Sequence, residues 1–370
     1  MRKEIKSATI AGIIVVAAVV GIAYYFNSLD NPIQNLNSVQ TQLTNSSIPI
    51  DESQFPIAPN LVGIAGYVNT SPDDLKSQMK DKVVLYDFWT YSCINCLRTL
   101  PYLKAWNVKY ADSGLLIIGV HSPEFEFEKD INNVKMATQK YGITYPVVLD
   151  SDHQTWDAFN NRYWPAEYIT DYLGHIRHTH FGEGDYDQTE QAIQQLLAER
   201  AQHLGLTINT NMSVVNLQQH QFSDLQTPEL YFGYDFATGR SYIGNQEGFQ
   251  PDKTVTYTLP MNFVQDHFYL GGDWQNLPDS MKLVSENGKI VLSYYAKDVH
   301  IVATGPNAGV QILLDGNPIS ASDSGQDIQN GTARIAENRL YNIVSSPQAG
   351  SHILTLMANP GFQIYTFTFG

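Results

Sequence analysis

The chain contains only two cysteines, Cys93 and Cys96, and two residues separate them. The apolar run Val83–Trp89 precedes the pair, and leucines at helical spacing follow it. A continuous apolar run of this length is typical of a strand that is buried on both faces. A cysteine pair at this spacing, between a buried strand and the start of a helix, indicates a dithiol–disulfide redox pair.

The start of a helix is a favourable place for a thiolate. The first backbone N–H groups of a helix lack partners, and the helix dipole adds partial positive charge there. We therefore expect Cys93 to be the exposed nucleophile and Cys96, one turn further in, to be the buried thiol that resolves a mixed disulfide. A structural zinc site normally needs four ligands, and a disulfide across so short a loop constrains the unfolded chain little, so both alternatives are less favoured.

Asp87 interrupts the apolar run, and two interpretations remain open for it. The residue lies either at the surface where the strand ends, or beneath Cys96 as a buried carboxylate. In the second case burial would raise its pKa, and the carboxylate would accept the proton when Cys96 attacks.

The N-terminal residues predict a membrane anchor. Arg2, Lys3 and Lys6 precede the uncharged run Ala8–Phe26, which is long enough as a helix to cross about one bilayer core. We expect residues 1–26 to be an uncleaved signal anchor, single-pass in a bacterial cytoplasmic membrane with its N-terminus inside. A cleaved signal peptide is the alternative. The polar residues 27–56 would form a flexible tether, and the remainder would be extracytoplasmic, where disulfides persist.

Composition excludes one class of partner. The net charge is −15, whereas binding to nucleic acid needs basic patches. No nucleic-acid partner is therefore expected.

A second buried strand, Leu115–His121, follows the helix of the cysteine pair. A β-α-β unit makes the two strands parallel, so their carboxyl ends open on the same sheet edge. His121 and Glu124 are therefore candidates to line the site. His178 and His180 share one face of a later strand, but no third metal ligand stands out, and no metal is expected.

The sequence also carries a family resemblance, on Asp87-Phe88-Trp89-Thr90-Tyr91-Ser92-Cys93-Ile94-Asn95-Cys96 and on His121-Ser122-Pro123-Glu124-Phe125. These strings resemble the TlpA-like thioredoxin domain of DipZ-type proteins. The resemblance implies an α/β thioredoxin-like domain of the TlpA and peroxiredoxin type, with a central mixed sheet. It also places Asp87 at the family's buried aspartate position.

The same resemblance implies a substrate site around the redox-active disulfide Cys93–Cys96. Pro165 would be cis and face the cysteines, which would leave the backbone of Trp164 free to pair with an extended substrate segment. We expect the residues around the pair, namely Trp89, Tyr91 and Ser92, to contribute to that site. No cofactor other than the disulfide is implied.

The sequence pattern changes after a polar segment at residues 207–226, which we expect to be a linker. Short alternating strands separated by Gly, Pro, Asn and Asp predict an all-β jelly-roll sandwich over residues 227–370. This part resembles the carbohydrate-binding-module-like domain of DipZ-type proteins, and residues 57–206 would form the thioredoxin-like domain. Trp274 or Tyr234 could stack on a sugar, although such aromatic residues are more often core.

Together these features predict a membrane-anchored, extracytoplasmic thiol–disulfide oxidoreductase that acts on protein thiols or disulfides. DipZ-type proteins usually carry a membrane electron-conducting domain, and one apolar span is too few for it. We therefore expect a reductase fed by a separate electron donor of the CcdA or DsbD type. Two alternatives remain: a thiol peroxidase of the peroxiredoxin type, since Thr90 and Cys93 reproduce its T-x-x-C pattern, and a glycan-binding surface protein.

Overall fold

The computed structural model describes residues 54–208, 210–220, 226–236 and 242–370. Residues 55–370 form one compact unit. The predicted anchor at residues 1–26 and nearly all of the predicted tether lie outside the described residues. Among the helices that the structure describes, none is both long and apolar enough to cross a membrane.

The first part of the chain builds a six-stranded sheet in the order β1-β4-β3-β2-β5-β6. Helices and a short 3₁₀ turn at Glu126–Lys129 connect the strands. The elements are β1 Gly66–Val68, α1 Pro72–Gln78, β2 Val83–Trp89, α2 Ile94–Tyr110, β3 Leu115–His121, α3 Ile131–Lys140, β4 Val147–Leu149, α4 Gln154–Ala158, β5 Ala166–Thr170, β6 Ile176–Phe181 and α5 Tyr186–Leu204.

Strand β2 lies near the centre of this sheet, as its apolar run predicts. It pairs in parallel with β3 and antiparallel with β5, so the sheet is mixed, and the thioredoxin-like fold is confirmed. Every residue of β2 and β3 is buried because helices and loops cover both faces. Leu85, Asp87 and Trp89 alternate onto the face that packs against α2 and α5.

Helix α2 begins directly after Cys93, which is its N-cap residue. Its buried residues include Cys96, Leu100 and Leu103, which face the sheet at helical spacing. Pro101 lies inside the helix. Packing against the sheet therefore positions Cys96, whereas the start of the helix positions Cys93.

The C-terminal part is all-β, as predicted. Its described strands form one eleven-stranded antiparallel sheet. They are β7 Leu230–Tyr231, β8 Thr254–Tyr257, β9 His267–Asn276, β10 Met281–Leu283, β11 Gly288–Thr304, β12 Ala308–Leu314, β13 Asn317–Pro318, β14 Ile328–Gln329, β15 Thr332–Ile335, β16 Arg339–Ala358 and β17 Gln363–Phe369.

The sheet closes on itself through β11. The first half of β11 pairs with β9 and its second half with β17, while β10 pairs with both of those strands. One apolar core fills the enclosed space, and Trp274 lies fully buried in it. The jelly-roll topology stays a prediction.

Two strands are longer than the sequence predicts. The short strands expected at 290–295 and 299–303 are one strand, β11, with a bulge between Ala296 and Asp298. Likewise, the separate strands expected at 340–344 and 352–357 join in β16. Bulges absorb the extra residues, so polar residues interrupt the apolar pattern without ending the strand.

The polar segment predicted as a linker packs against the first sheet's helices. Glu190 of α5 accepts a hydrogen bond from the backbone N–H of Val215 at 2.7 Å, and the hydroxyl of Tyr102 donates to the carbonyl of Leu217 at 3.2 Å. Val215 is also partly buried against that core. These contacts hold the segment along α2 and α5.

Candidate functional site

The sulfur of Cys93 lies at the amino end of α2. As N-cap, Cys93 has extended backbone angles, and its Sγ accepts a hydrogen bond from the backbone N–H of Cys96 at 3.2 Å. Cys93 is partly exposed, and both cysteines are free thiols. A backbone N–H aimed at a sulfur stabilises its negative charge.

Cys96 occupies the opposite environment, because only 1% of it is exposed. Burial raises the pKa of Cys96 well above its usual range, and the hydrogen bond and charge of Cys93 raise it further. The Cys96 thiol therefore holds its proton until another group removes it. The two sulfurs thus differ in access to solvent, as a nucleophile and a resolving thiol require.

Asp87 is the buried carboxylate that the resemblance implies. It is 1% exposed, and neither of its carboxyl oxygens has a hydrogen-bond partner among the described residues. Burial raises the pKa of Asp87 well above its usual range, and the charge of Glu167 adds to this shift. The charge of Asp87 in turn raises the pKa of Cys96, so the two groups are electrostatically linked.

Glu167 is a second buried carboxylate, which the sequence analysis missed. It lies directly opposite Asp87 in the β2–β5 register and is 2% exposed. Burial raises the pKa of Glu167 to about 7, opposed by a hydrogen bond from the Thr189 hydroxyl. Strand periodicity after Pro165 could have placed it, since Glu167 and Ile169 must share one face.

Trp89, Tyr91 and His121 form a packed aromatic group behind the cysteine pair. The His121 ring stacks on Tyr91 at a centroid distance of 5.5 Å and meets Trp89 edge-on at 5.4 Å. Burial lowers the pKa of His121 to about 3, so its ring is neutral. None of the three is more than 2% exposed, and their contact with substrate stays a prediction.

Ser92 is anchored by Glu128, another buried acid that the sequence analysis missed. The Ser92 hydroxyl donates to Glu128 Oε1 at 2.5 Å, while Glu128 Oε2 accepts the backbone N–H groups of Glu124 at 2.7 Å and Phe125 at 3.0 Å. Burial raises the pKa of Glu128, and the Ser92 and Thr90 hydroxyls oppose that shift. Nothing in the alternating Glu-Phe-Glu string distinguishes this acid from an exposed one.

The Glu124 side chain points toward the all-β part. Its carboxylate accepts a hydrogen bond from the Tyr231 hydroxyl at 2.7 Å. Beside it, Phe125 packs in an apolar cluster with Val302, Leu340 and Tyr365. The structure therefore gives Glu124 a contact between the two parts of the chain, and its role at the substrate site stays a prediction.

Pro165 follows a cis peptide bond, as the resemblance implies. The indole Nε1–H of Trp164 donates to the carbonyl of Ser122 at 3.0 Å, and its ring packs on Trp156 at 4.2 Å. The backbone N–H and C=O of Trp164 have no hydrogen-bond partner among the described residues. They remain available to an extended peptide.

The part of the chain that the structure describes holds no cluster of three or more His, Cys, Asp or Glu side chains arranged to bind a metal. His178 and His180 lie on β6. His178 Nε2 contacts the Thr189 hydroxyl at 3.4 Å.

Comparison with known proteins adds a family to this geometry. Residues 68–179 match the AhpC/TSA family model, and residues 227–370 match that of the thioredoxin-like C-terminal domain. Protein DipZ of Mycobacterium tuberculosis is 35% identical over 339 residues, which are 90% of this chain and 46% of DipZ. The chain thus spans about half the length of that relative.

Two shorter relatives match the first part of the chain. Thiol-disulfide oxidoreductase YkuV of Bacillus subtilis is 35% identical over 119 residues, which are 32% of this chain and 80% of YkuV. A solved thioredoxin-like protein in the oxidized form is 32% identical and covers 39% of this chain and 97% of its own, with a TM-score of 0.36. Because the chain covers 80% of YkuV at 35% identity, it belongs to the thioredoxin-like family of thiol–disulfide oxidoreductases.

Proposed function

We propose that the chain is a membrane-anchored, extracytoplasmic enzyme that exchanges disulfides with protein substrates through Cys93 and Cys96. One observation carries the proposal. A partly exposed sulfur lies at a helix start, and a buried thiol lies one turn inside it, electrostatically linked to an unpaired carboxylate.

The exchange runs in two balanced steps. The Cys93 thiolate attacks a disulfide of the substrate, which forms a Cys93–substrate disulfide and releases one substrate sulfur as a thiolate that takes a proton from solvent. Cys96 then loses its proton to Asp87 and attacks Cys93 Sγ. The Cys93–Cys96 bond forms, the second substrate sulfur leaves, and two electrons have passed to the substrate.

The surroundings of the pair support each step. The Cys96 N–H stabilises charge on Cys93, while burial raises the pKa of Asp87 and makes its carboxylate a stronger base for the Cys96 proton. The free backbone groups of Trp164 would align an extended substrate segment beside Cys93. In the reverse direction the same groups would oxidise a substrate dithiol.

We further propose that the chain works as a reductase in a bacterial cytoplasmic membrane. The basic residues before Ala8–Phe26 support a single-pass anchor with the catalytic part outside. Turnover then needs electrons from the membrane, for which a donor of the CcdA or DsbD type is the proposed partner. Deleting such a donor should leave Cys93 and Cys96 oxidised in cells, and unchanged thiol status would reject this partner.

Trapping of mixed disulfides tests the exchange itself. Cys96→Ala removes the resolving thiol, so proteins attached to Cys93 should accumulate as adducts that a reductant releases. The matched control is the double variant Cys93→Ser with Cys96→Ala, which should trap nothing. Equal trapping by both variants, or none by either, would reject the assignment.

A thiol peroxidase is the second candidate, because the AhpC/TSA model matches residues 68–179 and Thr90 precedes Cys93 at the required spacing. Tyr86 stands where peroxiredoxins carry proline, and its ring packs on Phe159 across the sheet from the cysteine side. Peroxide consumption that depends on Cys93 would favour this candidate over protein substrates.

Glycan binding by residues 227–370 is the third candidate function, and it concerns the all-β part. Trp274 cannot stack on a sugar in this structure because it is buried and donates to the carbonyl of Gly271. Tyr234 is partly exposed, and its hydroxyl donates to Asp252 at 2.9 Å. Retention of the chain on polysaccharide, lost in Tyr234→Ala, would support a sugar site.

A further inference from the structure

Three titratable side chains form a row across three neighbouring strands. Asp87 of β2 pairs in register with Glu167 of β5, and Glu167 pairs in register with His180 of β6. Residues paired in this way point to the same face, with their Cβ atoms about 4.5–5.5 Å apart. The row therefore runs along the face that carries Cys96.

Burial decreases along this row. Asp87 and Glu167 are buried, whereas His180 is partly exposed on β6, the edge strand of the sheet. Both Asp87 carboxyl oxygens, Glu167 Oε2 and His180 Nε2 have no hydrogen-bond partner among the described residues. Buried polar atoms of this kind are commonly bridged by water or by one another.

Disulfide exchange releases a proton inside the protein, and such a row could carry it. The proton that leaves Cys96 arrives at a carboxylate inside the sheet, with α2 and α5 above it. Asp87 either keeps that proton until Cys96 is reduced again or passes it to Glu167, the acid paired with it in register.

We propose that Glu167 and His180 form, with Asp87, a proton relay from Cys96 to the edge of the sheet. This relay rests on the proposed thiol–disulfide exchange. Asp87 takes the Cys96 proton, Glu167 takes it from Asp87, and His180 passes it to solvent; reduction of Cys93–Cys96 runs the same path inward. No electrons move along the row, and no further reactant is needed.

The neighbours of the row suit this role. Cys96 of α2 and Tyr145, just before β4, face Asp87, and the Tyr145 hydroxyl also lacks a partner among the described residues. From α5, the Thr189 hydroxyl donates a hydrogen bond to Glu167. The charge of Glu167 also contributes to raising the pKa of Tyr186. His178 is the other titratable group of β6 nearby.

The acidity of Glu167 supports transfer near neutral pH. Burial raises the pKa of Glu167 to about 7, so the group gains and loses a proton without a large free-energy change. An ordinary surface glutamate would be ionised throughout this range and would not release a proton to His180 as readily.

A chromogenic disulfide, dithiobis(nitrobenzoate), separates the two sulfurs in one stopped-flow experiment on the reduced full-length chain. Attack by Cys93 releases the first nitrothiobenzoate, and attack by Cys96 on the resulting mixed disulfide releases the second. Only the second phase requires the Cys96 proton to leave. If Cys93→Ser retains both phases, the proposed exchange itself fails.

Glu167→Gln keeps the shape of the side chain and removes its ability to carry a proton. We expect the first phase to be unchanged and the second to slow on the order of tenfold, with a larger solvent deuterium isotope effect. His180→Gln should slow the second phase in the same way. Added imidazole should restore the rate in His180→Gln, where the edge is reachable, but not in Glu167→Gln.

His203→Gln is the matched control, because His203 is exposed, stacks on Tyr172, and lies fourteen residues along α5 from Thr189. It should leave both phases unchanged. The relay is wrong if both phases slow equally in Glu167→Gln, or if neither Glu167→Gln nor His180→Gln slows the second phase. It is also wrong if His203→Gln slows the second phase and His180→Gln does not.

Discussion

Replacing Glu167 by glutamine should change the stability of the fold in a pH-dependent way. Glu167 is 2% exposed, and burial raises its pKa to about 7 from about 4.5. A shift of about 2.5 units at 1.36 kcal/mol per unit corresponds to about 3 kcal/mol. This is the amount by which folding disfavours the charged form of Glu167 relative to its neutral form.

The sign follows from proton linkage. The folded state binds the Glu167 proton more tightly than the unfolded state, so the contribution of this proton to stability is complete below about pH 4.5. It is lost as the pH rises through about 7. A glutamine at this position has no proton to lose and should not lose stability in that way.

Urea unfolding of both chains at about pH 5 and about pH 8 measures the effect. Between about pH 5 and about pH 8, the unfolding free energy of the wild type should fall by up to about 3 kcal/mol more than that of Glu167→Gln. Exposed Glu126 provides the control, since Glu126→Gln should show no such gain. A difference between wild type and Glu167→Gln that stays constant with pH would refute the assignment of a buried, proton-holding Glu167.

Three further substitutions test other contacts. Gly119→Ala should destabilise the first sheet by about 1–3 kcal/mol in urea unfolding, since the added Cβ would lie 2.8 Å from Trp89 Nε1; no change would mean that the indole can move. Tyr231→Phe removes the donor to Glu124 and should lower the unfolding free energy by about 1–3 kcal/mol, and less than this would show that water replaces the hydroxyl. Trp274→Ala should lower it by about 3–5 kcal/mol through a cavity in the all-β core, and an unaffected midpoint would contradict the burial of Trp274.

Local patterns of the sequence were sufficient to predict the central strands. Val83–Trp89 and Leu115–His121 are buried strands with the bounds that their apolar runs indicate, and the helix begins directly after Cys93. These features depend on short-range periodicity and on where the first helical residue stands. The cis bond before Pro165 was available only from resemblance, because no local pattern distinguishes it from a trans bond.

The features that were missed depend on pairing between distant residues. Glu167 is important because β5 places it opposite Asp87, a register that a single strand does not reveal. Strand β16 continues past Ser345 because both of its halves pair with β11, and residues 346–349 bulge opposite Lys297. Sequence patterns describe each segment, whereas pairing decides which polar residues become buried together.

The hydrogen bonds of Glu128 connect the all-β part to the loop that precedes Cys93. One carboxylate holds both the hydroxyl beside Cys93 and the chain segment whose phenylalanine side chains pack against Tyr365. Separation of the two parts would displace the loop that precedes Cys93 and expose the apolar residues that pack between them. We therefore expect the thioredoxin-like part alone to be less stable than the intact chain, because it would lack Tyr365, on which Phe125 and Phe127 pack.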